Sequence, residues 1–292
     1  AAAWYQGRDP VLRAEHLERA DDARAAEAFL DAARAEAKAL HTDAALRLAQ
    51  RGARIARADA VAFVLEILTG RLARDLGDAQ ASVAAFGRAL ARAGDDAHRC
   101  RALVGIAAGH RLTSDAEAGF AALDAAEPIA QRLRLTREQA RIAYLRGALH
   151  FARGELAACA SEHERALALA KETDDELLQA HALSGLADVL YATGRMASAR
   201  RAFGACVDLC ERHGDIHFSL PNRNMMGICE FYLGDLRGAL AQSVRAWEAA
   251  RRIGHRVAEV MADEVAGFAL VGAGHDAEAV EPIMRSLPLA RA

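Results

Sequence analysis

The sequence is poor in aromatic residues and in proline, and this scarcity limits the folds that it can form. Aromatic residues make up 5% of the 292 positions and there are five prolines, whereas 53% of the residues are hydrophobic. Alanine, leucine, arginine and glutamate dominate, and these residues favour helices and leave little material for strands. The composition therefore excludes a disordered chain and predicts an all-α protein with a sizeable core.

An excess of one charge is also lacking. The formal net charge is −3 at pH 7, so no general basic field would draw the chain to nucleic acid or to anionic lipid. No apolar run reaches the roughly 20 residues that a membrane-spanning helix requires. We therefore expect neither nucleic acid nor a membrane as a partner.

The cysteines do not form the dense pattern of a small secreted domain. They are an odd number scattered through apolar helical stretches, at Cys100, Cys159, Cys206, Cys210 and Cys229. Such spacing indicates reduced thiols, and we expect a cytoplasmic protein.

Common catalytic motifs are absent from the sequence. It contains no phosphate-binding loop of the type G-x-x-x-x-G-K-[ST], and no H-E-x-x-H, G-x-S-x-G or C-x-x-C pattern. We expect this segment not to be an enzyme and to bind no cofactor.

What the sequence does contain is a repeat. Gly154, Gly194, Gly234 and Gly274 follow one another at intervals of 40 residues, and each ends an apolar segment with helical periodicity. Glycine tolerates the left-handed conformation that closes a helix. Each of these glycines therefore predicts the turn between two antiparallel helices.

Small residues recur at three fixed offsets from these glycines. They stand seven residues before, five after and twelve after each glycine, as Gly147, Ala187, Gly227, Gly267, Cys159, Ala199, Ala239, Ala279, Ala166, Cys206, Ala246 and Ser286. Because antiparallel helices approach closely only where side chains are short, these positions mark helix crossings. A single pair would leave its apolar face exposed, so the pairs are expected to stack.

This pattern resembles the tetratricopeptide repeat. The motif is clearest in "LADVLYATGRMASARRAFGACV", where the family's characteristic positions hold Leu186, Ala187, Tyr191, Gly194, Ala199, Phe203 and Cys206. The resemblance implies a right-handed superhelical solenoid of antiparallel helix pairs, with the first helix of each pair on the concave wall. The period near 40 exceeds the family's usual value of about 34, which implies longer helices.

Weaker copies precede the clear ones. Gly70, Gly77 and Phe86 fit the register in "GRLARDLGDAQASVAAFGRAL", and His41 stands at the turn of a still earlier pair. We expect about seven pairs. The predicted boundaries are a leading helix and linker over residues 1–23 and a repeat domain over residues 24–292.

The leading segment carries a second resemblance. "RDPVLRAEHLERADD" is similar to the helix of the type Ala-x-His-x-x-x-Ala-Gly-Asp that precedes the C-terminal repeats of large bacterial signalling ATPases, including class III adenylate/guanylate cyclase-like proteins and related transcriptional regulators. Ala14, His16, Ala20 and Asp22 match, and Asp21 replaces the glycine. The resemblance implies that the chain is part of a longer protein whose catalytic domains lie upstream.

One cluster has the residue types of a zinc site. Cys206, Cys210 and His213 would share a helix face, and His217 follows the next turn. Thiolates and imidazoles are ligands that tetrahedral zinc prefers. Cys206, however, occupies a position that the repeat reserves for a small buried residue, so we expect structural cysteines and no metal site.

The family's groove positions can be transferred to this sequence. They fall on Arg101, Arg111, Arg141, Tyr144, Phe151, His181, Ser184, Asp188, Tyr191, Asn224, Phe231, Tyr232 and Glu264, with Arg71 and Arg74 further out. Arginine suits carboxylates and tyrosine provides rigid amphipathic contacts. The alternative is that Phe151 and Phe231 belong to the core and that the arginines form an ordinary solvated face.

Two functions remain open from the sequence. The first is a non-catalytic module that binds a protein, a peptide or an upstream domain of its own chain within a bacterial signalling protein. The second is a small-molecule sensor with a pocket around Tyr144, Asp188, Tyr191 and Asn224, controlling an upstream cyclase, ATPase or transcription regulator. An open trough would favour the first, and an enclosed pocket would favour the second.

Overall fold

The computed structural model describes residues 9–113 and 115–290, and these residues form fifteen helices and no strand. The prediction of an all-α protein is confirmed. The chain divides into two compact units, an N-terminal unit over Ala1–Arg153 and a C-terminal unit over Gly154–Ala292. Residues 1–8 of the predicted leading segment lie outside the described residues.

The N-terminal unit contains eight helices in chain order, and consecutive helices pack against one another. They are α1 (Pro10–Arg19), α2 (Ala25–Lys38), α3 (Thr42–Ile55), α4 (Asp59–Asp75), α5 (Ala79–Ala91), α6 (Asp96–Thr113), α7 (Ala116–Arg132) and α8 (Thr136–Ala152).

The C-terminal unit contains the remaining helices and is packed in the same way. They are α9 (Leu156–Glu172), α10 (Glu176–Ala192), α11 (Met196–Arg212), α12 (Ile216–Tyr232), α13 (Leu236–Ile253), α14 (Arg256–Gly272) and α15 (Asp276–Ala290). From α2 on, we call the even-numbered helices A and the odd-numbered helices B. Seven A helices alternate with seven B helices in the described chain, as the repeat predicts.

The predicted turns are present where the glycines stand. Gly154, Gly194, Gly234 and Gly274 have φ angles of 73°, 75°, 82° and 79°. The twelve small residues at the three offsets are all buried. Both findings confirm that the glycines close A helices and that the small residues occupy crowded positions.

A second set of left-handed residues lies midway between these glycines, at the turns from B to A helices. They are Arg134, Asp174, Gly214 and Gly254, with φ angles of 52°, 50°, 71° and 71°. This set could not be predicted from the sequence because two of its members are not glycine. Aspartate tolerates the left-handed region better than most residues do, and arginine does so less readily.

The repeat period is not constant along the chain. The A helices begin at residues 25, 59, 96, 136, 176, 216 and 256, so the first two intervals are 34 and 37 residues and the later ones are 40. The early helices α2, α3 and α5 contain 14, 14 and 13 residues, whereas α8 to α12 contain 17 each. The early copies are therefore harder to detect because their helices are shorter.

The leading helix α1 packs onto the repeats. Asp9 caps its first turn by accepting a hydrogen bond from the backbone N–H of Leu12 at 3.0 Å, and Ala14 and Leu17 join the core formed by α2 and α3. Asp21 follows this helix with a φ angle of 50°. It therefore adopts a left-handed conformation, which glycine takes more readily than other residues do.

No described helix combines the length and the apolar character needed to cross a membrane.

Candidate functional site

The residues transferred from the family's groove all lie on A helices. Arg71 and Arg74 are on α4; Arg101 and Arg111 are on α6; Arg141, Tyr144 and Phe151 are on α8; His181, Ser184, Asp188 and Tyr191 are on α10; Asn224, Phe231 and Tyr232 are on α12; and Glu264 is on α14. The two units each hold part of this set, and each part has its own geometry.

In the N-terminal unit, two predicted arginines converge on one buried carboxylate. Glu138 on α8 is 6% exposed, and its Oε1 lies 3.7 Å from Nε of Arg101 and 3.3 Å from Nη1 of Arg141. Both guanidinium groups remain partly exposed, at 50% and 36%. Two cations thus share one anion, which leaves donors that an acidic ligand can use. Glu138 was not among the predicted residues.

The other predicted residues of this unit are less organised. Tyr144 is half-buried and packs against the core of α6, α7 and α8. Arg111 is exposed near the end of α6. Phe151 is 39% exposed, so it is not a core residue.

A cleft of about 400 Å³ lies between α7 and α8, and it contains none of the predicted residues. Its walls are Glu117, Phe120, Ala121, Asp124, Arg146, His150 and Arg153. Arg146 donates to Asp124 at 2.5 Å and to Glu127 at 2.9 Å. The guanidinium carbon of Arg153 lies 4.9 Å from the centre of the Phe120 ring. The cleft is therefore lined by an aromatic ring and by an arginine that is already ion-paired.

In the C-terminal unit, four aromatic rings form a continuous row across three A helices, which we call the aromatic row. The ring centres are 6.3 Å apart for Tyr191 and Tyr232, 5.4 Å for Tyr232 and Phe231, and 6.0 Å for Phe231 and Phe268. Tyr232 and Phe268 are 59% and 55% exposed. Three members of the row are predicted groove residues, and Phe268 is not.

The phenol of Tyr191 is neutral. Burial raises the pKa of Tyr191, and the neighbouring Tyr232 raises it further. Tyr191 therefore keeps its proton at neutral pH and presents an apolar ring with a polar tip, as anchor residues of peptide-binding surfaces do.

Two other predicted residues lie on α10. The ring of His181 packs 4.2 Å from that of Phe218. Asp188 is half-buried and lies among the buried cysteines of this unit. Burial raises the pKa of Cys159 and of Cys229 to about 11, and the charge of Asp188 makes a smaller contribution in the same direction. These thiols are protonated at neutral pH and are not nucleophiles.

Asn224 is a predicted groove residue whose side chain does not reach the surface. It is fully buried, and its Nδ2 donates to the backbone carbonyl of Ala258 on α14 at 3.0 Å. The prediction that it lines a binding surface was wrong, because this position faces the next A helix. Glu264, by contrast, is exposed on α14.

The cysteine and histidine cluster is split between core and surface. Cys206 and Cys210 are fully buried in a core with Ala180, whereas the exposed His213 lies with Nε2 2.7 Å from the Glu176 carboxylate. Among the residues that the structure describes, no group of three or more His, Cys, Asp or Glu side chains has the arrangement to hold a metal ion.

No family model matches the sequence, and no curated protein matches it. Several solved structures are similar to this chain in fold. A Signal Transduction ATPase with Numerous Domains with a tetratricopeptide repeat sensor, from Pyrococcus horikoshii, has a TM-score of 0.66 and 10% identity, covering 97% of this chain and 46% of that chain.

Two further solved structures are similar. A Rap protein complexed with Competence and Sporulation Factor has a TM-score of 0.63 and 11% identity, with coverage of 92% and 98%. Aspartyl phosphate phosphatase F from Bacillus subtilis has a TM-score of 0.61 and 12% identity, with coverage of 84% and 64%. The chain thus spans less than half of the Pyrococcus ATPase and just under two thirds of the phosphatase. These likenesses show the fold, which is a helical repeat of the tetratricopeptide type.

Proposed function

We propose that this chain is a non-catalytic regulatory module that binds a protein or peptide segment through its A helices. The observation that carries the proposal is the aromatic row, which exposes Tyr232 and Phe268 on the surface of a repeat fold. Exposed aromatic rings in a contiguous group are typical anchors of protein recognition.

The ligand chemistry follows from the two clusters. The aromatic row suits apolar or aromatic side chains, and the donors left on Arg101 and Arg141 suit carboxylates. Each cluster lies within one unit, so carboxylates are matched to the N-terminal unit and aromatic side chains to the C-terminal unit. A segment that binds either cluster can belong to a separate partner or to an upstream domain of the same protein.

The biological setting that we propose is a multidomain bacterial signalling protein, with a nucleotide cyclase or ATPase upstream. Asp21 supports this assignment, because it takes the left-handed conformation at the position where the related leading helices have glycine. Among the similar structures, one is described as an ATPase with a tetratricopeptide repeat sensor and another as a Rap protein complexed with Competence and Sporulation Factor. The proposed module has the corresponding role of sensor.

A small-molecule sensor is the second candidate. Its contact surface would be the cleft between α7 and α8, which has a volume of about 400 Å³ and is open to solvent. The cleft also offers the Phe120 ring and the His150 imidazole as contacts.

Selection from a peptide library on the intact chain tests the first proposal. We expect Tyr232→Ala to weaken the binding of selected peptides rich in aromatic residues about 10-fold in fluorescence anisotropy, and Arg141→Ala to weaken the binding of those rich in acidic residues by a similar factor. Leu233→Ala is the matched control, because Leu233 is 48% exposed, adjoins Tyr232 and lies outside the row. Peptides that bind all four proteins equally would contradict the proposed site. Metabolite binding abolished by Phe120→Ala would support the second candidate instead.

A further inference from the structure

The aromatic row begins at helix ends that lack a feature shared by most other helices of the protein. Tyr191 is in the last turn of α10, and Phe231 and Tyr232 are in the last turn of α12. Among the described helices from α1 to α14, only α10, α12 and α14 have no His, Lys or Arg in the last turn. The C-terminus of a helix carries a partial negative charge, which a nearby cation stabilises. The ends that hold these rings therefore have no last-turn cation for this charge.

The end of α8 shows a cation and an aromatic ring in contact at such a place. Arg153 is the C-cap of α8, and its guanidinium carbon lies 4.9 Å from the centre of the Phe120 ring. The residues 40 and 80 positions later, at the C-caps of α10 and α12, are Thr193 and Leu233. The arginine that covers a ring at α8 is thus replaced by neutral side chains where the row lies.

Arginine covers aromatic rings elsewhere in the protein as well. Arg51 lies 4.9 Å from the ring centre of Phe29, and Arg285 lies 4.2 Å from that of Trp247. Over the rings of the row, no guanidinium group of the described chain is present. A cation within about 6 Å of a ring centre is attracted to the electron-rich face of the ring. The row therefore offers ring faces that the described arginines leave unoccupied.

The charged groups around the ends of α10 and α12 do not repel a cation. The last two turns of these helices and the turns that follow them, together with the partner of Glu230 on α11, contribute three carboxylates and two guanidinium groups: Asp188, Glu230 and Asp235, with Arg195 and Arg200. Arg200 lies 3.3 Å from Glu230. The surroundings are thus slightly acidic, which favours a cationic ligand over an anionic one.

We propose that the aromatic row binds an arginine side chain of the partner segment, with the guanidinium group stacked on Tyr232 and Tyr191. The inference rests on the proposed function and specifies the ligand of the same surface. Arginine fits better than lysine, because its planar guanidinium group stacks on aromatic faces and is more weakly hydrated than an ammonium group. An apolar or aromatic residue beside the arginine then packs on the remaining rings, Phe231 and Phe268.

Two labelled peptides that differ in one charge test the ligand. The first is Gly-Ser-Phe-Arg-Phe-Ser-Gly, and the second has citrulline, the neutral isostere of arginine, at its centre. In fluorescence anisotropy with the intact chain, we expect the arginine peptide to bind about 10-fold more tightly. Tyr232→Leu keeps an apolar side chain but removes the ring, and it should reduce this preference to about 2-fold.

A second variant supplies the cation from within the chain. Leu233→Arg places a guanidinium group at the position that corresponds to Arg153, and we expect it to remove most of the preference for the arginine peptide. Leu233→Ala is the matched control, because it removes the same side chain without adding a charge, and it should keep the preference. Circular dichroism checks that each variant is folded.

Three results would overturn the inference. Equal binding of the two peptides, with both weakened by Tyr232→Ala, would exclude the arginine ligand and leave peptide binding by the row in place. A preference that survives both Tyr232→Leu and Leu233→Arg would place the recognition of arginine elsewhere. If neither peptide binds at about 1 mM, the arginine ligand is excluded, and the library selection decides the proposed function separately.

Discussion

The imidazole of His163 on α9 fills the space beside Gly185 on α10. A Cβ atom at Gly185 would stand 2.1 Å from Nε2 of His163, and the His163 side chain is fully enclosed. Helices α9 and α10 are therefore in contact through the His163 ring of α9 and the backbone of α10 at Gly185.

Gly185→Ala should destabilise the protein by about 2 kcal/mol, because the ring has no space into which it can shift. Urea unfolding followed by circular dichroism measures the change. Gly204→Ala in α11 is the control, since its Cβ would meet only the Met226 sulfur, at 3.5 Å. There we expect stabilisation by up to about 1 kcal/mol from helix propensity. Equal effects at the two glycines would contradict the packing argument.

The buried His163 should make the stability depend on pH. Burial lowers its pKa from 6.5 to about 4, so the folded state favours the neutral ring. Above pH 6.5 the His163 ring is neutral in both the folded and the unfolded protein, so the stability of the protein has its full value. As the pH falls from about 6.5 to about 4, the unfolded chain takes up a proton first and stability is lost, by up to about 3 kcal/mol.

His163→Leu isolates this contribution. Unfolding midpoints in urea at several pH values between 7.5 and 4.5 should fall more steeply for the original protein than for the variant. Parallel curves for the two proteins would show that His163 titrates alike in the folded and unfolded states.

The ion pair between Glu66 and Arg88 should behave differently when one partner or both are removed. Glu66 on α4 is buried, and Arg88 on α5 donates to it through Nε and Nη2, both at 2.8 Å. Arg88→Met leaves a buried carboxylate without its cation and should cost about 2 kcal/mol, less than for a fully buried pair because Arg88 is half-exposed. Glu66→Met combined with Arg88→Met should recover most of the loss in urea unfolding. A double variant as unstable as Arg88→Met would mean that side-chain packing decides the stability here.

The cysteines should be unreactive in the folded protein. All five are buried, and burial raises the pKa of Cys100, like those of Cys159 and Cys229, to about 11. With Ellman's reagent at pH 8, we expect fewer than about one thiol to react within minutes, and all five to react in urea. Rapid reaction of Cys206 or Cys210 in the native state would indicate that α11 opens readily.

The repeat pattern predicted the fold because it reports backbone requirements. A turn with φ near 75° favours glycine, and a close helix crossing accepts only small residues. Gly194 and Ala187 can therefore be recognised as repeat positions from the sequence. Arg134 and Asp174 meet the same backbone requirement with other residues, and their turns could not be predicted. The shorter period of the first repeats was not recognised, because only part of each short helix matches the 40-residue spacing of the later repeats.

The candidate site was less predictable because it depends on contacts between repeats. Glu138 lies under Arg101 and Arg141 only once α6 and α8 are packed side by side. Asn224 occupies a groove position by register, yet its amide satisfies the Ala258 carbonyl on the neighbouring A helix. A position one turn away from a groove position faces a different surface, and one sequence alone does not separate the two.

The constant 40-residue interval of the later repeats means that a deletion of 40 residues among them preserves the register of the helices. Asp175 and Asp215 cap successive A helices in the same way, each accepting a hydrogen bond from the backbone N–H three residues later. Removing residues 176–215 in frame would join Asp175 to Ile216 and recreate a capped A helix at the junction. Unequal recombination within this stretch would therefore add or remove whole helix pairs while keeping the same turn at the junction. The first repeats have intervals of 34 and 37 residues and do not allow this.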